Sequence, residues 1–70
     1  MTRYVVLYEQ AEDGGWGAYL PDLPGVVAGG ETREEVERLI QEALVFYAEI
    51  EQERGSAMPA PTHQAGFVNV

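Results

Sequence analysis

The chain has 70 residues, of which 46% are apolar, with no cysteine and a formal charge of −8 set against four arginines and no lysine. That length provides one domain, and a chain so short buries only about 60% of the surface its unfolded form exposes, so self-association is the expected extra source of stability. Disulfides and thiolate zinc sites are excluded, and the acidic balance disfavours direct nucleic-acid binding while attracting a basic protein partner.

Met1-Thr2-Arg3-Tyr4 leads straight into a strand-like run. There is no signal-peptide pattern and no apolar stretch near the roughly 18 residues of a membrane span. The expectation is a soluble cytoplasmic protein with no membrane partner.

Tyr4-Val5-Val6-Leu7-Tyr8, rich in β-branched and aromatic residues, predicts a first strand. Glu12-Asp13-Gly14-Gly15 supplies hairpin-turn chemistry, with Gly14 and Gly15 both able to take positive φ. Trp16 to Leu20 predicts a second, antiparallel strand. Pro21-Asp22-Leu23-Pro24-Gly25 breaks it as a rigid turn, since Pro21 and Pro24 fix φ and Gly25 permits an angle closed to other residues. Val26-Val27-Ala28 predicts a short third strand, closed by Gly29-Gly30.

The strongest local signal follows. Thr32-Arg33-Glu34-Glu35 is a capping box, in which Thr32 accepts from the Glu35 amide and Glu35 reaches back to Thr32. Val36, Leu39, Ile40, Ala43, Tyr47 and Ile50 recur at helical spacing. A helix is predicted from Arg33 to Arg54, stopped by Gly55. Met58-Pro59-Ala60-Pro61 is an extended connector, and Gly66 to Val70 a last strand.

The predicted class is α+β, with element order βββαβ: a four-stranded sheet in order 3-2-1-4 and one long helix on one face. Exchange of the last strand with a second subunit is the competing arrangement, with the proline-containing connector as hinge.

One helix covers one side of a sheet, yet the first strand is apolar on both sides, with Val5 and Leu7 opposite Tyr4, Val6 and Tyr8. On the helix, Val45 falls opposite the buried stripe, with Leu44 and Phe46 on its shoulders. Tyr4, Tyr8, Val45 and Phe46 are therefore candidate partner-binding residues, against the plainer reading of a widened core stripe. Asp22 and Leu23 join them if the stiff Pro21–Gly25 loop presents them to a partner and does not serve only as a turn.

Catalytic chemistry finds little support. His63 is the only histidine and lies in the connector, where solvation is its expected state. Ser56 is the only serine, and no second imidazole or thiol stands at metal-ligand spacing. Glu9, Asp22 and the helix acids Glu34, Glu35, Glu37, Glu42, Glu49, Glu51 and Glu53 are available to a metal-dependent nuclease, but the helix acids read as a solvated face. No phosphate-binding glycine pattern occurs. The expectation is a protein that is not an enzyme and holds neither metal nor cofactor.

Asp13-Gly14-Gly15-Trp16, then Tyr19-Leu20-Pro21-Asp22-Leu23-Pro24-Gly25, then a Gly-Glu-Thr start to an acidic helix, resemble the HicB-like antitoxins. The Gly55 and Pro59/Pro61 spacing also looks like that family's helix ending, so the match spans roughly residues 4 to 61. The resemblance implies a reduced ribonuclease-H-like fold without a catalytic centre. It also implies neutralisation of a small basic HicA-like toxin, an mRNA-cleaving protein, by masking its surface. HicB antitoxins usually continue into a DNA-binding domain, whereas the expectation here is a single domain over residues 1–70 with none appended. Two other readings are weighed beside it: an oligomeric scaffold module, and a residual nuclease built on acids such as Glu9 and Asp22.

Overall fold

The computed structural model describes residues 2–70. Three strands, β1 (Leu7–Gln10), β2 (Trp16–Leu20) and β3 (Leu23–Gly30), form an antiparallel sheet in the order β1-β2-β3, and one helix, α1 (Arg33–Glu53), packs across it. The α+β class and the single long helix agree with the expectation from sequence.

The β1–β2 turn is held by side chain and backbone together. Asp13 Oδ1 accepts from the Gly15 amide at 2.9 Å, and the Ala11 carbonyl accepts from the Gly14 amide at 2.9 Å. Only Gly14 takes the left-handed conformation, at φ +94°, so one glycine and not two is required there.

Strand limits follow from pairing more than from composition. The β1–β2 pairing ends at Leu7 and Tyr19, and β2 itself ends at Leu20, so Tyr4 to Val6 lie beyond the ladder. Tyr4, Val6 and Tyr8 share one side, as their alternation predicted, but that side packs on the core, so Tyr4 and Tyr8 are not laid open to a partner as expected. β3 is longer than expected because it continues back through Pro24 and Gly25. Leu20 pairs with Leu23 and Tyr19 with Val27, which forces Pro24-Gly25-Val26 into a bulge. A proline is tolerated there because β3 is an edge strand. Gly25 does not take a left-handed angle, so its expected conformational role is not used.

α1 begins and ends by the rules its sequence suggested. Thr32 Oγ1 accepts from the Glu35 amide at 3.1 Å. Glu35 Oε1 reaches back one residue further than predicted, accepting from the Glu31 amide at 2.9 Å. A Cβ on Gly30 would stand 2.1 Å from that oxygen, so Gly30 keeps the space for the cap. At the far end Gly55 sits at φ +72°, with Ser56 donating to the Glu51 carbonyl and Gly55 to that of Gln52. This pairing satisfies carbonyls the helix cannot.

The core is small. Val36 and Ile40 of α1 close over Ala18 and Leu20 of β2 and Leu23 and Val26 of β3, and among the described residues no buried polar residue joins them.

The expected fourth strand is absent: Gly66 to Val70 joins no sheet among the described residues, and a three-stranded order replaces 3-2-1-4. The connector explains why. Met58 packs on the core, and the Tyr4 hydroxyl donates to the Pro59 carbonyl. Prolines 59 and 61 have no amide to give, so side chains and not a ladder hold this stretch beside the N-terminal overhang. An open cleft separates Arg3–Val6 from Pro61–Ala65, short of the Gly66–Val70 stretch expected to pair with the first strand.

Two substitutions test this anatomy by chemical denaturation. Thr32→Ala should cost about 1 kcal/mol with little change in the denaturant slope. Leu20→Ala should cost roughly 2–5 kcal/mol, enough to leave a domain this small largely unfolded.

Candidate functional site

The surface offers three places where chemistry or recognition concentrates. One is the β2–β3 turn. Asp22 sits there with its side chain only 5% exposed, and both oxygens are occupied. Oδ1 accepts from the Thr62 hydroxyl at 2.7 Å and lies 2.6 Å from His63 Nδ1, while Oδ2 accepts from the Thr62 and His63 amides at 3.1 and 3.2 Å. The hydroxyl of Thr62 and then the imidazole of His63 hold the Asp22 carboxyl far below the usual range, against the opposing effect of desolvation. Asp22 is thus a clasp on the connector. Leu23 beside it is buried in the core, so it is not presented to a partner as one expectation held. His63 stays more than half exposed, as expected of a connector histidine, and is also the clasp's other half.

The second place is the outward side of α1. Val45 is 48% and Phe46 64% exposed, on a helix whose remaining outward residues are polar. Glu42 and Glu49 lie one turn to either side of Phe46. Arg33 and Arg38 make exposed ion pairs with Glu37 and Glu42 at 3.1 Å, worth a few tenths of a kcal/mol each. Those two arginines offset little of the acidity. Leu44, the other shoulder, packs on the core. Tyr8 is partly covered, with the Arg33 guanidinium 4.5 Å above its ring, and Tyr4 is engaged with Pro59. Of the candidate apolar contacts, Val45 and Phe46 are therefore the ones left open.

The third is the sheet face turned away from α1. Leu7, Tyr19 and Val27 form a cross-strand row on it, and Glu9, Gly17 and Gly29 form the next. A shallow apolar groove runs along this face between Glu9, Gly17, Tyr19, Pro21, Pro24 and Val27.

Among the described residues no group of three or more His, Cys, Asp and Glu side chains converges, and the Asp22 carboxylate is spent on the connector. Nor is any described helix long and apolar enough to cross a membrane.

Comparison with known proteins decides the family. A family model described as the HicB-like antitoxin of bacterial toxin-antitoxin systems matches residues 4–69. The chain belongs to the HicB-like antitoxins. It is 39% identical over 69 residues to Antitoxin HicB 2 of Photorhabdus laumondii, covering 97% of this chain and 49% of that one. Antitoxin HicB 1 of the same organism is 36% identical over 59 residues, covering 84% of this chain and 38% of its own length. The chain thus spans half or less of these curated relatives. The N-terminal domain of Burkholderia pseudomallei antitoxin HicB superposes with a TM-score of 0.75 at 25% identity, over 84% of this chain and 69% of that one. The resemblance read from the Asp13–Trp16 and Tyr19–Gly25 segments is borne out, and this HicB-like domain shares the N-terminal fold of its structural relative.

The clasp makes a pH signature. Because the folded-state carboxyl of Asp22 is depressed, its contribution is complete above the ordinary value of 3.8 and is lost as pH falls below it. Asp22→Asn should therefore be less stable than the wild type at pH 7, and the gap should narrow as both are unfolded at progressively lower pH. A gap that stays constant through the acid range would show that the charge of Asp22 is immaterial.

Proposed function

We propose that this HicB-like antitoxin domain neutralises a small, basic, HicA-like toxin by binding it and covering its RNA-contacting surface, with no reaction of its own. The observation that carries this is the outward side of α1, where the exposed Phe46 and Val45 are bordered by Glu42 and Glu49. An aromatic anchor within an acidic rim is the combination a basic protein partner recognises. The apolar pair supplies affinity and the charges supply rate and orientation. A net charge of −8 supports the same partner and opposes a direct role on nucleic acid. The family places the chain in a toxin-antitoxin system, and the HicA type of toxin is the partner this surface fits. The domain works in the cytoplasm, where such a toxin meets mRNA, and self-association is part of the same reading.

The test begins by asking whether a small basic protein is encoded beside this one. The two should co-purify, and the antitoxin domain should stop the partner's RNA cleavage at stoichiometric amounts. Phe46→Ala should weaken the complex by about tenfold or more, ~1.4 kcal/mol, while leaving the isolated fold within about 0.5 kcal/mol of wild type. Glu42→Gln with Glu49→Gln should slow association and flatten its salt dependence. No complex at micromolar concentration, or undiminished cleavage in its presence, would falsify the assignment.

A further inference from the structure

The outer face of the sheet has a feature the fold itself does not require. Gly17 and Gly29 are direct cross-strand partners in β2 and β3. Neither takes a left-handed angle, and a Cβ on either would meet only a carbonyl oxygen at 3.7 Å, an ordinary contact. A larger residue fits at both positions within this chain. Glycine inside a strand weakens it and leaves nothing to pack, and one use for it is the close approach of another chain to the backbone. Beside this bare floor stand Tyr19 and Val27, the latter 62% exposed.

The same molecule carries a segment with the opposite problem. Residues 64–70 leave the Asp22 clasp and contact nothing that shields their apolar side chains, with Phe67 100% and Val68 92% exposed. All twelve acids lie before residue 54, so this stretch has no charged side chain and approaches an acidic body without repulsion. Extended, residues 64–70 reach roughly 23 Å from the anchor. A bare floor needing an aromatic and a free aromatic needing a floor occur in one sequence.

We infer that the chain forms a symmetric dimer in which segment 64–70 of each copy lies across the outer sheet face of the other, with Phe67 over the Gly17–Gly29 floor between Tyr19 and Glu9. This rests on the self-association proposed above and names the surface that makes it. Aromatic side chains bury roughly 150–250 Å² each. With the neighbouring valines, two exchanged segments counted on both copies reach the order of 1,200 Å² expected of a stable interface. The clasp gives the exchange its geometry, because Asp22 pins residues 62 and 63 at the edge of the same groove that Pro21 and Pro24 line. The outward side of α1 stays free for a basic partner.

Light scattering across a dilution series, on the full chain, tests this. The wild type should show twice the monomer mass at micromolar concentration. Phe67→Ala and, separately, Gly29→Val should each shift the dimer–monomer midpoint at least tenfold upward, with circular dichroism unchanged. Mixing the two variants should restore a heterodimer, since one supplies an intact Phe67 and the other an open floor. A wild type that stays monomeric at all concentrations removes both the dimer and the self-association reading. A dimer indifferent to Phe67→Ala and Gly29→Val leaves self-association standing and overturns the exchanged segment as its cause.

Discussion

Everything in this fold depends on one seam, where Val36 and Ile40 of α1 close over Ala18, Leu20, Leu23 and Val26 of the sheet. A single helix covers a single face, and in a chain this small that contact supplies nearly all the burial available. The cap at Thr32 and Glu35, the glycine at 30 that makes room for it and the bulge at Pro24–Gly25 all serve to set α1 at the right place and angle over the sheet. Because the inner face is spent on holding the domain together, the function proposed here falls to what points outward.

Those outward surfaces differ in chemistry, and the difference sorts their partners. The solvent side of α1 joins exposed carboxylates to an aromatic anchor, a surface suited to a positively charged protein. The far side of the sheet is apolar, nearly uncharged and floored with glycine, a surface suited to a neutral segment. Between them the Asp22 clasp fixes where the connector leaves the body. A single carboxylate therefore couples the turn beside the core to the direction taken by the last residues.

The parts of the fold legible in the sequence are those governed by neighbours a few residues apart. The cap, the apolar stripe of α1 and the Asp13–Gly14 turn are local, and each appears where its residues implied. β2 was also readable, because a tight turn bounds it on both sides. The limits of β1 and β3 were not, since they depend on which backbone lies opposite and on a bulge at Pro24 that no periodicity announces. Phe67 and Val68 favour an extended chain, but that propensity does not provide a neighbour, and the anticipated fourth strand is missing for that reason. The link between Asp22 and His63 crosses 41 residues of sequence and was invisible, whereas the exposure of Val45 followed from counting around the helix; the same count put Leu44 and Phe46 on equal shoulders and could not tell that Phe46 is the open one. The Gly17–Gly29 pairing emerged only once the register was fixed.

The central claim is that the domain acts by recognition through the outward side of α1. The most direct measurement is nuclear magnetic resonance shift mapping on labelled domain titrated with the basic protein that co-purifies with it. The account predicts that the largest perturbations cluster on Glu42, Val45, Phe46 and Glu49, while Tyr19 and Val27 stay where they were. Perturbations concentrated on Tyr19, Val27 and the Gly17–Gly29 floor, with Phe46 unmoved, would contradict it.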